Sequence, residues 1–306
     1  MLSHEPLNRQ VPPCPDFAMT GTVDQRSAVL PVLEISSIGE FELRPPRGHH
    51  ERLATLRQLI SHDIPCILWG ADALTYAHKI PSSLNEQRIL VPDELLDQAS
   101  AVLQEGCYIP ASWDPQCLDL DYSPNAGKPF YLRGIRLKHR DIPEDEPYLL
   151  EPLPAHILLL PQSYFGLDVQ SKERFQSIVP PFDVSNVNIL APKYHTFLEG
   201  LIECLFNPPI TPHAIGEVSI ITDIGNLIES RVEYPDDDLP RPAEILPEEK
   251  QILEELQTEE ARWYLGMWFH ERRGVGHKDI KDYKRRKTSA MYVPYLYLVG
   301  FSPNTF

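Results

Sequence analysis

Residues 64–74 read Ile64-Pro65-Cys66-Ile67-Leu68-Trp69-Gly70-Ala71-Asp72-Ala73-Leu74, and residues 86–96 read Glu86-Gln87-Arg88-Ile89-Leu90-Val91-Pro92-Asp93-Glu94-Leu95-Leu96. Each stretch is a short apolar run, rich in residues that suit a pleated surface, followed by a breaker and then a helical pattern. Gly70 turns the chain out of the first run. Pro92 stops the second, because proline has no amide hydrogen to give a ladder. Upstream, Leu53, Leu56, Leu59 and Ile60 recur at helical spacing between Glu51 and His62, which predicts one apolar helix face. Helix, strand, helix, strand, helix is the signature of a layered α/β fold.

The same pattern continues downstream. His156-Ile157-Leu158-Leu159-Leu160 predicts a central strand, and strand candidates lie within Phe130–Leu137. Asn188-Ile189-Leu190-Ala191-Pro192 predicts another strand, running into a helix over Tyr194–Phe206. The fold class expected is α/β: a mixed sheet flanked by helices, with a C-terminal helical extension. Three regions follow: an arm with edge strands over 1–48, an α/β core over 49–208, and a C-terminal region over 209–306. Within the last, the acidic segment 233–260 reads as an exposed linker opening a helix at Pro247 that continues to about His270. It is followed by a basic run through Lys287, and the aromatic 292–301 predicts a strand.

The chain has 306 residues, 42% of them apolar, enough for a sizeable core. Its 31 prolines against 15 glycines favour short elements and stiff connections. The formal net charge of −16 argues against a free-standing nucleic-acid binder, whose affinity is driven by phosphate neutralisation. None of the five cysteines forms a CxxC pair, so neither a disulfide framework nor a zinc site is expected. No apolar run is long enough to cross a bilayer, and the N-terminal segment lacks the apolar core of a secretory signal. A cytoplasmic location, with no membrane partner, is the expectation.

The two stretches quoted above resemble nucleotidyltransferase-like proteins. These open with a helix and a strand ending in a glycine turn, then an ALxxxG-like helix and a second strand of the form DxDhhhP. The carboxylates of that second strand hold metal ions. The resemblance covers about residues 51–206. The chain is also similar to an uncharacterised fungal family through CILWGADAL, ILVPDELL, LLLPQSYFG and ILAPKYHTFLEGLI. The resemblance places the DxD pair on Glu86 and Arg88. A cation at the second position repels Mg²⁺, and two-metal phosphoryl transfer needs carboxylates for both ions. No metal or other cofactor is therefore expected.

Four candidate constellations remain. Asp72 and Glu86, with Trp69, Gly70 and Arg88, are expected to line a cleft at one sheet edge, joined by Tyr164 from the loop after the strand at 156–160. Lys193, Tyr194 and His195 open the helix after Pro192. There a lysine at a helix N-terminus suits an anion and a histidine can move a proton. Tyr164-Phe165-Gly166 lies where α/β sheets gather ligands. The basic residues Arg272, Arg273, Lys284, Arg285, Arg286 and Lys287 suit RNA or an acidic partner, or else pair with the chain's own acidic segment. Two functions stay open. One is a nucleotidyltransferase-like protein that has lost metal-dependent transfer and binds a nucleotide, RNA such as tRNA, or a protein. The other is an active transferase taking a nucleotide or aminoacyl-tRNA donor, as in amide-bond or cyclodipeptide formation.

Overall fold

Strand β1 (Ile67–Trp69) is buried at every position and lies inside a seven-stranded mixed sheet. Its neighbours are β2 (Glu86–Val91), antiparallel, and β7 (Leu190–Pro192), parallel. Beyond β2 come β5 (His156–Pro161), parallel to it, then β4 (Ile135–His139) and β3 (Tyr108–Pro110), each antiparallel to the strand before. On the other side β6 (Phe175–Ser177) closes the sheet against β7, giving the order β3-β4-β5-β2-β1-β7-β6. A computed structural model describes residues 49–84, 86–111, 134–142, 153–208, 215–234, 244–271 and 275–287. All of these fall within one unit, Pro45–Phe306.

Helices cover both faces. On one, α2 (Ala54–Ser61) buries Leu56 and Leu59 and packs beside α4 (Leu96–Glu105), tied by Gln58 Nε2 donating to the Val102 carbonyl at 2.8 Å. On the other, α5 (Tyr194–Phe206) is buried along most of its length and is backed by α6 (Ile215–Glu229) and α8 (Glu259–Glu271). Trp69 is wedged there between Phe165 and Phe197, with ring centroids 4.5 and 4.6 Å apart. No helix among the described residues is long and apolar enough to cross a membrane.

Several sequence expectations shift. The strand expected over 188–192 is shorter, Leu190–Pro192, and follows a 3₁₀ turn over Val184–Asn186 capped by Asp183. The single helix expected from Pro247 to about His270 is two, α7 (Pro247–Glu255) and α8. The break is held by the buried carboxylate of Glu199, which accepts from the backbone amides of Gln257 and of Thr258, the latter at 3.0 Å, while Arg174 pairs with it at 3.1 Å. The expected exposed linker is therefore ordered over 244–260, with Glu249 buried and accepting from the Leu246 amide and the Tyr234 hydroxyl. Cys66 and Cys204 are free and buried, as their apolar settings imply, but Cys107 is disulfide-bonded. The β-type runs over 28–44, residues 130–133, the middle of the acidic segment and the aromatic strand over 292–301 lie outside the described residues.

Candidate functional site

The Gly70 turn is built as its sequence implies. Helix α3 (Gly70–His78) starts directly at the end of β1, and Gly70 adopts φ +62°. A Cβ at Gly70 would lie 2.9 Å from Cδ of Arg88, so the glycine also makes room for the arginine that packs over it. Gly70 and Arg88 thus meet, as expected.

The acidic pair does not. Asp72 is fully buried and bound by Arg52, whose Nε and Nη2 donate to its two carboxylate oxygens at 2.5 and 2.8 Å. Arg52 belongs to the α2 side of the sheet: its carbonyl accepts from Gln87 Nε2 at 2.9 Å, and Thr55 of α2 donates to Gln87 Oε1. Side chains alternate along a strand. Glu86 and Arg88 therefore point away from Gln87, to the face opposite the Asp72–Arg52 pair. There Glu86 is engaged by Arg136 at 3.0 Å, with Arg88 at 3.9 Å. Asp72 is an internal counter-ion, closed off from solvent, and not a second carboxylate beside Glu86.

Trp69 and Tyr164 also leave the expected cleft. Trp69 is 2% exposed, filling the core beneath α5. Tyr164 sits in a 3₁₀ turn, Gln162–Phe165, after the C-terminal end of β5. The β2–β5 register pairs Val91 with Pro161 and Glu86 with His156. That turn is therefore at the opposite end of the sheet from Glu86 and the Gly70 turn. Ser163 fixes it there by donating from its amide and hydroxyl to Asp93, at 3.1 and 2.5 Å. The sequence could not supply this, because the expected cleft assumed strand ends whose directions only the pairing sets.

The third constellation does gather. Lys193, Tyr194 and His195 line a cavity of about 450 Å³ with Ala77, His78, Lys79, Gln176, Ser230 and Arg231. It lies where the C-terminal end of β7 meets the N-terminus of α5, with the ends of α3 and α6 closing its sides. Lys193 occupies the N-cap position of α5 with no side-chain cap, so the first amides of that helix receive no help from it. The lining holds the cations Lys79, Lys193 and Arg231 and no carboxylate. Arg231 lies 3.6 Å over the Tyr194 ring and pairs with Glu255 at 2.8 Å. Tyr194 donates to the Leu227 carbonyl at 2.9 Å, and burial holds its phenol protonated well above the usual range. His78 donates from Nε2 to the Pro192 carbonyl at 3.1 Å, and burial lowers its pKa to about 4, so its imidazole is neutral. Sequence reasoning missed Lys79, Gln176 and Arg231, which reach the site from other elements. The left-handed Lys79, φ 60°, ending α3 had no local marker such as glycine.

The basic run forms helix α9 (His277–Lys287). Lys287 binds Glu260 at 2.6 Å and Glu259 at 3.3 Å. Lys284 donates to the Phe206 carbonyl at 2.5 Å and to Asn207 at 2.9 Å, covering the C-terminus of α5. Arg285 pairs with Asp282 at 3.2 Å, and Arg286 is exposed. Arg272 and Arg273 lie outside the described residues. The expected pairing with the acidic segment is therefore met by Lys287 through Glu259 and Glu260, whereas Lys284 binds the end of α5 instead. No family model, curated protein or solved structure matches the chain.

Proposed function

We propose that this chain is a nucleotidyltransferase-like α/β protein that has lost metal-dependent nucleotidyl transfer and binds a phosphate-bearing ligand, a nucleotide in the first instance, in the cavity at the head of α5. The carrying observation is the cavity itself: three cations, an uncapped helix N-terminus and no carboxylate in its lining. Phosphate suits such a setting because helix amides and the helix dipole both favour negative charge. Its volume is within the range of small-ligand sites. The nucleotidyltransferase-like part draws support from the order of α2, β1, the Gly70 turn, α3 and β2. Loss of transfer draws support from Glu86, whose carboxylate is taken up by Arg136 and approached by Arg88. Two cations there oppose a divalent ion.

Calorimetry at low salt with ATP, AMP and inorganic phosphate tests this. Binding should survive a metal chelator and weaken roughly tenfold in Lys193→Glu, the loss of one charge-assisted contact. Absence of binding to all three, or unchanged affinity in Lys193→Glu, would overturn it. Release of pyrophosphate or AMP on incubation with ATP and tRNA would favour the active-transferase alternative.

A further inference from the structure

Away from the cavity, Cys107, His139 and Asp141 bring one sulfur, one imidazole nitrogen and one carboxylate oxygen within 4.8 Å of one another. The sheet creates this meeting. β3 and β4 pair antiparallel with Tyr108 opposite His139, and the Arg140 amide donates to the Cys107 carbonyl at 2.7 Å. That places Cys107, just before β3, against the residues just after β4. The two anchoring segments are therefore fixed by backbone bonds. His139 is 7% exposed and stands edge-on to Tyr108 at 5.2 Å, while Asp141 is exposed. The Asp141 amide donates to Nδ1 of His139 at 3.2 Å, so the ring's lone pair is on Nδ1 and a metal bound there takes the place of this hydrogen bond.

We propose that these three residues form a zinc site whose availability is set by the redox state of Cys107. A thiolate, an imidazole and a carboxylate are the donors that Zn²⁺, a borderline cation, accepts together. With Zn–S near 2.3 Å and Zn–N or Zn–O near 2.1 Å, tetrahedral ligand atoms stand about 3.5 Å apart. The set needs to close by about 1 Å, which rotation of the exposed Asp141 side chain can begin. Three protein ligands leave a fourth position for water.

Cys107 is disulfide-bonded in the oxidised chain, and a disulfide sulfur is a poor zinc ligand because the nucleophile and ligand is the thiolate. A dithiol reductant supplies two electrons and two protons, becomes a disulfide itself, and releases Cys107 as a thiol. Zinc then binds the thiolate, and the S–H proton goes to solvent. The same sulfur cannot serve both bonds, so oxidation and metal occupancy exclude each other.

The test uses the full chain, either oxidised or reduced with a phosphine. The phosphine takes oxygen from water to become the phosphine oxide and leaves no competing thiol. Zinc affinity is read by competition with a chromophoric chelator, and Co²⁺ serves as a spectroscopic substitute. Reduced protein should bind a single zinc per chain, at least roughly 100-fold more tightly than oxidised protein, and should show a thiolate-to-cobalt charge-transfer band. Cys107→Ser should lose the band, and His139→Ala should weaken zinc binding by roughly 100-fold. Should either variant fail to fold, Asp141→Ala, at an exposed position, should still weaken zinc by roughly tenfold. Lack of a stoichiometric site in reduced protein, equal affinity in both redox states, or wild-type affinity in all folded variants would each overturn the proposal.

Discussion

Asp72 illustrates how one side chain changes meaning once its partner is known. In sequence it is an acid beside a glycine turn; in the fold it neutralises a buried arginine. Removing one member of a buried pair leaves the other charge uncompensated, which costs about 3–5 kcal/mol. Asp72→Asn should therefore lower the urea midpoint by an amount equivalent to about 3 kcal/mol. An Arg52→Met/Asp72→Leu double variant should recover much of the loss, and equal destabilisation in both would argue against the pair. Gly70→Ala meets two separate obstacles, a left-handed backbone costing about 1 kcal/mol and the overlap with Arg88. Arg88→Ala in the same chain should relieve only the second, so denaturation of the four-member cycle should show coupling. His78 titrates with a folded pKa of about 4 against an ordinary value of 6.5. The unfolded chain binds the extra proton first, so stability is full above pH 6.5 and falls as pH drops towards 4. The loss should be on the order of 1–3 kcal/mol, partly masked by carboxylate titration, and His78→Gln should flatten that part of the pH–stability curve.

At the level of elements, periodicity was sufficient for α2, β1, β2, β5 and α5, because each carries its own apolar pattern and its own breaker. Leu53, Leu56 and Leu59 mark a face without help from any partner. The division of α7 from α8 was not legible, since residues 248–260, which span the break, contain no glycine or proline. The break comes instead from Glu199, 58 residues from Gln257 in sequence. The cavity was legible only as Lys193, Tyr194 and His195; its other cations arrive through tertiary contacts. The acidic cleft failed for a different reason: alternation sends Glu86 and Gln87 to opposite faces, and strand direction sends the Tyr164 turn to the far end. Glu199→Ala should release the amides of Gln257 and Thr258 and leave Arg174 without its carboxylate. A loss of about 2–4 kcal/mol is expected, with faster hydrogen exchange at the start of α8 than elsewhere. Uniformly altered exchange would place the effect outside that junction.

For the molecule as a whole, a net charge of −16 surrounds a locally cationic cavity. Polyanions are repelled at a distance while a small anion is attracted close in, which favours a nucleotide over RNA. Charge reversal of Arg285 and Arg286 should leave stability within about 0.5 kcal/mol, as for ordinary surface changes. A salt-dependent gel shift with tRNA in the unmodified chain, lost on reversal, would instead assign α9 to RNA. The sheet has one more consequence. Its outer strands, β3 and β6, are three residues each, and β3 ends in Pro110. Short margins interrupted by proline give another chain little to hydrogen-bond against. The described sheet is therefore a poor seed for fibril growth, and concentrated solutions should stay free of cross-β assembly for as long as this fold persists.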